Sequence, residues 1–108
     1  MKEKGIFNLQ LIDEKLVGNF TNEQHANIFY PEGAKPMHGL NPTDPFIGSF
    51  ETDWPEASER YSAILKINKN GFIYKLTWIN PSRLTHFEGI AQRVGNTLYG
   101  SYWSEYPM

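Results

Sequence analysis

The feature that most constrains this chain is an alternation of apolar and polar side chains at period two, broken at short intervals by turn residues. Over residues 60–67, Tyr61, Ala63, Leu65 and Ile67 fall on one face. Asn68-Lys69-Asn70-Gly71 follows, and over residues 72–79 Phe72, Tyr74, Leu76 and Trp78 again share a face. Successive side chains of a strand point to opposite faces, so this is the period of a strand with two unlike sides. An Asn-Gly step between two such runs is a strong hairpin signal. Asn80-Pro81-Ser82-Arg83 ends the second run, because proline has no N–H to give to a ladder. Residues 86–94 read as a third strand, Gly95-Asn96 as a second tight turn, and residues 97–104 as a fourth strand. The expectation is an antiparallel meander.

The first half adds strands less regularly. Residues 6–12 alternate Phe7, Leu9 and Leu11 with Asn8 and Gln10, and Asp13-Glu14-Lys15 turns the chain into residues 16–20. Residues 46–51 form another short apolar run, and residues 52–58, with Trp54-Pro55, read as an interruption holding one turn. Between them, residues 21–45 carry Pro31, Gly33, Pro36, Gly39, Pro42 and Pro45. Thr21-Asn22-Glu23-Gln24 fits a capping box and places a helical turn there. Asn27-Ile28-Phe29-Tyr30 reads as a strand that stops before Pro31. Structureless loops this long are uncommon in compact domains, so the segment is expected to serve as a lid or a cover.

Three sites share a pattern of two apolar residues, Gly, Asn or Ser, and an aromatic: Leu16 to Phe20, Phe46 to Phe50 and Leu98 to Tyr102. Glycine inside a strand marks a bend or a close approach, so Gly18, Gly48 and Gly100 are expected at the corners of a curled sheet. Large residues on some strands of the meander would face small ones on others, namely Gly89, Ala91 and Gly100, which is how the inside of a small barrel is filled. The opposite face carries Lys66, Lys75, His86, Glu88 and Gln92. It also carries Ile64, Ile73, Ile79, Ile90, Val94, Tyr99 and Trp103, too many apolar groups for a face left in water. Residues 21–45 or a second subunit are expected to cover it. The fold class is therefore all-β: one small antiparallel up-and-down barrel or strongly curled meander over residues 1–108, with one long irregular segment rich in Pro and Gly.

The Gly-x-aromatic starts Gly18-Asn19-Phe20, Gly48-Ser49-Phe50 and Gly100-Ser101-Tyr102, on short up-and-down strands, resemble the calycin group of lipocalins, fatty-acid-binding proteins and avidins. The chain is short for a lipocalin and has a proline-rich insert that the pattern lacks. The resemblance implies a closed barrel with a pocket at one mouth, and carries no ligand-contact residue with it.

Composition narrows the chemistry. The chain has 108 residues, no Cys and three His, which excludes disulfides, thiolate metal sites and cysteine nucleophiles. Ten Lys and Arg against twelve Asp and Glu give a formal charge of −2, the wrong sign for binding phosphates without sequence preference, so no nucleic-acid partner is expected. Membrane-spanning helices need runs of about 18 or more apolar residues and none occurs, so no membrane partner and a cytoplasmic location are expected.

His86 and Glu88, two apart on one strand, share a face, and a carboxylate beside an imidazole can make a general base. The plainer alternative is a solvated pair beside Lys75 and Thr77. His25 and His38, with Glu23, Glu32 and Asp44 nearby in sequence, have ligand chemistry but no defined metal spacing, so solvated loop histidines are preferred. Asp53 and Glu56 around Trp54-Pro55, with Glu51 close, have the residue types of a glycosidase pair and equally those of a helix start. No phosphate loop and no nucleophile elbow occurs.

The seven Phe, six Tyr and three Trp are the unusual composition. They are read first as core, with some lining a cavity. Trp54, Tyr99 and Trp103 are the candidates for an interface. The functional expectation is non-catalytic binding of a small apolar or aromatic ligand among Tyr61, Tyr74, Trp78, Phe87 and Tyr102, with residues 21–45 near the mouth, no cofactor, and a homo-oligomer. The alternatives are a small-barrel isomerase or hydrolase using His86 and Glu88 or the loop histidines, and a structural or protein-interaction domain.

Overall fold

The structure, a computed structural model, describes residues 3–23, 28–56, 58–80 and 85–104. Eight antiparallel strands follow one another in chain order: β1 (Lys4–Ile12), β2 (Lys15–Asn22), β3 (Tyr30–Pro36), β4 (Gly48–Glu56), β5 (Glu59–Asn70), β6 (Ile73–Asn80), β7 (Thr85–Val94) and β8 (Thr97–Ser104). Each pairs with the next, and β1 pairs with β8, which closes the barrel. Closure is finished by two bonds between the barrel's first and last residues, Ser104 N–H to the Glu3 carbonyl at 2.8 Å and Glu3 N–H to Ser104 Oγ at 2.6 Å.

Eight strands leave an interior just wide enough for side chains to fill. Large and small residues stand side by side on neighbouring strands, in register. Phe7 pairs with Gly100, Leu9 with Gly18, and Tyr102 with Gly5 on one side and Gly89 on the other. Two of the three expected corner glycines act through close approach: a Cβ on Gly18 would overlap the Asn8 carbonyl, and one on Gly100 the Ile90 carbonyl. Gly48 differs, opening β4 at a φ of 143° with nothing near its missing Cβ.

The expected interior positions of the meander point inward with one exception. Phe72 is 92% exposed, because Asn70 pairs with Ile73 and leaves Gly71-Phe72 as the two-residue turn. The first half departs further from its sequence pattern. Thr21 and Asn22 end β2 rather than start a helix, and Gln24 lies outside the described residues. The third strand runs through Pro31 instead of stopping before it. The reason is positional: Pro31 pairs only with β2 and Pro36 only with β4, so each sits where β3 is bonded on one side. Thr52 to Glu56 likewise continue β4. Asp53 is its last residue paired with β3, so Pro55 faces a partner only in β5.

Residues 37–47 do not cover the outer face. They close the barrel end that holds the β1–β2, β5–β6 and β7–β8 turns, where Phe46 is fully buried against Tyr74. Asp44 fixes this plug: its Oδ1 accepts the Phe46 N–H at 3.0 Å, and its Oδ2 the Tyr74 hydroxyl at 2.6 Å. Arg93 lies 3.4 Å from Oδ1 and over the Phe46 ring at 4.8 Å. Outside, Ile6, Ile73, Ile90, Val94 and Tyr99 remain exposed.

Candidate functional site

At the opposite end of the barrel a second carboxyl points into an interior lined with aromatic rings. On β3 the inward positions are Tyr30, Glu32, Ala34 and Pro36, so strand alternation drives a carboxyl into the core. Glu32 is 5% exposed. Thr52, diagonal to it on β4, donates its hydroxyl to Glu32 Oε2 at 2.6 Å, and the Trp78 indole N–H reaches the same oxygen from β6 at 2.8 Å. Among the described residues no hydrogen bond is made to Oε1.

Burial pushes the Glu32 carboxyl up to about 7. The bonds from Thr52 and then Trp78 pull in the other direction, and the negative charge of Asp53 adds a small further rise. No Lys or Arg pairs with it among the described residues.

Around Glu32 stand the rings of Phe7, Phe20, Trp54, Trp78, Phe87 and Tyr102, with Glu3 also on the wall. The rings meet mostly edge to face: Phe7 on Trp78 at 5.4 Å, Phe20 on Tyr102 at 6.0 Å and Phe87 on Tyr102 at 5.8 Å between centroids. Unoccupied space in this recess, including the part open to solvent, is about 340 Å³. Room for the centres of water-sized molecules is about 30 Å³. Since one water needs roughly 10–15 Å³ on that measure, the inner recess takes about two or three heavy atoms.

Three of the five expected ligand residues, Trp78, Phe87 and Tyr102, come together on this wall. Tyr61 stacks on Trp54 behind it, with centroids 6.0 Å apart and planes 17° apart. Tyr74 belongs to the plugged end, bonded to Asp44. Within residues 21–45, Glu32 supplies the polar group of the recess and residues 37–45 help to close the far end, while residues 24–27 of the expected lid lie outside the described residues. The chain matches no protein-family model, no curated protein and no solved structure.

The other candidate groups lie elsewhere. His86 faces outward opposite Ile79, with its Nε2 buried and without a hydrogen-bond partner among the described residues. Glu88 is also outward, opposite Thr77 and Trp103. His25 lies outside the described residues and His38 is exposed. Among the described residues no three His, Asp or Glu groups are placed to hold a metal ion. Asp53 faces outward and pairs with Arg60 at 3.0 Å. A larger depression, about 540 Å³, lies on the outer surface around Gly33, with exposed Lys15, Lys35, Glu51 and Asp53 at its sides. Its charges are of both signs and stand in solvent, whereas Glu32 is buried with no counter-charge among the described residues. Sequence reasoning had placed Glu32 among possible loop ligands; its signal was the period-two spacing Tyr30, Glu32, Ala34.

Proposed function

We propose that the barrel binds a small, partly apolar molecule by its end, taking a narrow polar head into the aromatic recess beside Glu32. The observation that carries this reading is Glu32 itself. A carboxyl inside an apolar barrel is costly, and a purely structural interior would be better served by an aliphatic residue. One oxygen is held by Thr52 and Trp78, which leaves Oε1 to address an occupant.

The recess is too small to enclose a whole ligand, so the rest of the molecule extends toward the mouth, past Trp54 and Phe87. The barrel is a closed up-and-down one whose described interior is largely filled by side chains. Its outer face carries charges among the exposed apolar groups, for example Lys4, Lys15, Lys35, Glu51, Arg60, Lys66, Lys75 and Glu88, whereas a lipid-facing band is apolar.

Trp54 and Trp78 on the wall provide the test. Titration with hexanol, hexanoate and hexylammonium, read by tryptophan fluorescence, is expected to give a saturable change with at least one of them. Silence from all three, with the protein folded, overturns the reading. A second reading attaches to the same carboxyl, because a group that titrates near neutrality is suited to proton transfer. Chemical turnover of a bound compound, lost in Glu32→Gln, would favour it.

A further inference from the structure

We propose that the head group taken by the recess is a primary ammonium, CH₂–NH₃⁺, held between Glu32 Oε1 and the surrounding ring faces. This rests on the end-on binding reading above and names the ligand class for the same site.

Three observations select that chemistry. The first is the donor count. Glu32 Oε2 already accepts from Thr52 and Trp78, at 2.6 and 2.8 Å, so Oε1 is the oxygen left without a partner, and once it has given up its proton it is an acceptor that calls for a donor on the ligand. The second is charge: the described lining residues include two acidic ones, Glu3 and Glu32, and no cationic one. The faces of Trp54, Trp78 and Tyr102 are the electron-rich surfaces that attract a cation. The third is size. Space of about 30 Å³ for water-sized centres admits a carbon and a nitrogen, but not the four heavy atoms of a trimethylammonium.

The groups facing Glu32 reinforce this selection. From β4 come the Thr52 hydroxyl and, on the outer side, the Asp53 carboxylate; from β6 the Trp78 indole; and Tyr102 on β8 and Glu3 beside β1 complete the polar residues of the lining. None of these is a cation, so among the described residues no positive charge meets the buried carboxyl before an arriving ammonium does. The neutral acid then gives its proton to solvent as the ion pair forms: Glu32–COOH and R–NH₃⁺ become Glu32–COO⁻···⁺H₃N–R and one H⁺.

The experiment is isothermal titration calorimetry of the whole chain with hexylammonium, hexanol, hexanoate and tetramethylammonium, in two buffers of different ionisation enthalpy at each of several pH values. Hexylammonium stays charged throughout, as a lysine side chain does. Its affinity is expected to rise about fifty-fold from pH 5 to pH 7 and then level, with nearly one proton released per event at pH 6. Tetramethylammonium is expected not to bind. In Glu32→Gln the rise with pH and the proton release disappear, while any hexanol binding persists.

Tighter binding of hexanoate than of hexylammonium, or affinity for hexylammonium that does not rise with pH, overturns the ammonium assignment and leaves end-on binding standing if hexanol or hexanoate binds. No binding of any of the three hexyl compounds overturns both. The pH profile of the unsubstituted protein decides the matter even if Glu32→Gln fails to fold.

Discussion

The Trp78 indole N–H and the Glu32 carboxyl meet inside the barrel at 2.8 Å, although 46 residues separate them in the chain and they stand on β6 and β3. The bond spans the interior rather than a strand pair, so it ties opposite walls together at the level of the recess. It also fixes which oxygen of Glu32 is occupied. Both donors converge on Oε2, and the recess is thereby organised around the other oxygen.

Burial of Glu32 has a consequence for stability with a definite sign. Its folded value of about 7 lies above the ordinary 4.5, so the folded state holds the proton more tightly than the unfolded chain. The contribution is fully present below about pH 4.5, is lost as pH rises toward 7, and changes no further above it. The shift corresponds to roughly 3 kcal/mol. Glutamine keeps an acceptor for Thr52 and Trp78 and does not titrate. Urea unfolding at pH 4 and pH 8 should therefore show the stability difference between wild type and Glu32→Gln moving by about that amount in favour of the variant. Parallel pH profiles for the two proteins would contradict it.

The two hydrogen bonds to Oε2 oppose the effect of burial, and Thr52 does so more than Trp78. Thr52→Val should move the Glu32 midpoint further above 7, and Trp78→Phe should move it the same way by less. Carbon-13 NMR of the Glu32 side-chain carboxyl reads this directly. A midpoint that falls in either variant would mean that the donors do not hold the charged form.

Much of this barrel was legible because most strands have unlike sides. β5 to β8 show the alternation in their residues, and only Phe72 misled, since the same alternation extends past the turn that exposes it. β3 was hidden by what it contains. Pro31, Gly33 and Pro36 read as loop, and an inward glutamate breaks the expectation that the inner face is apolar. The convergence of Glu32, Thr52 and Trp78 comes from barrel closure and from register between distant strands, which no local pattern specifies. Asp44 was obscured in the same way, because its partner Tyr74 lies 30 residues away and looked like one more aromatic of the inner face.

At the plugged end, Tyr74→Phe removes the donor to Asp44 Oδ2 and leaves that oxygen buried beside Phe46. The Phe46 N–H and Arg93 still serve Oδ1, so the plug should weaken rather than open. The expected loss is about 1–3 kcal/mol in urea unfolding. Binding at the recess should be unchanged, because the two groups of residues share no side chain. Loss of hexyl-compound binding in Tyr74→Phe would show that the ends are coupled.

Gly18 and Gly33 separate the two things a strand glycine can do. At Gly18 a Cβ would run into the Asn8 carbonyl, a backbone atom of the neighbouring strand that cannot swing aside. Gly18→Ala must push β1 from β2 where Leu9 is fully buried, and is expected to lose more than about 3 kcal/mol or fail to fold. Gly33, on the adjacent strand, has no atom within 4 Å of the Cβ position. Its φ lies outside the positive range, so alanine there introduces no backbone strain. Gly33→Ala should gain about 0.4–1 kcal/mol by restricting the unfolded chain. Denaturation midpoints of the pair, measured side by side, check both signs. A Gly18→Ala protein as stable as Gly33→Ala would mean that β1 and β2 are not coiled as closely as the barrel requires.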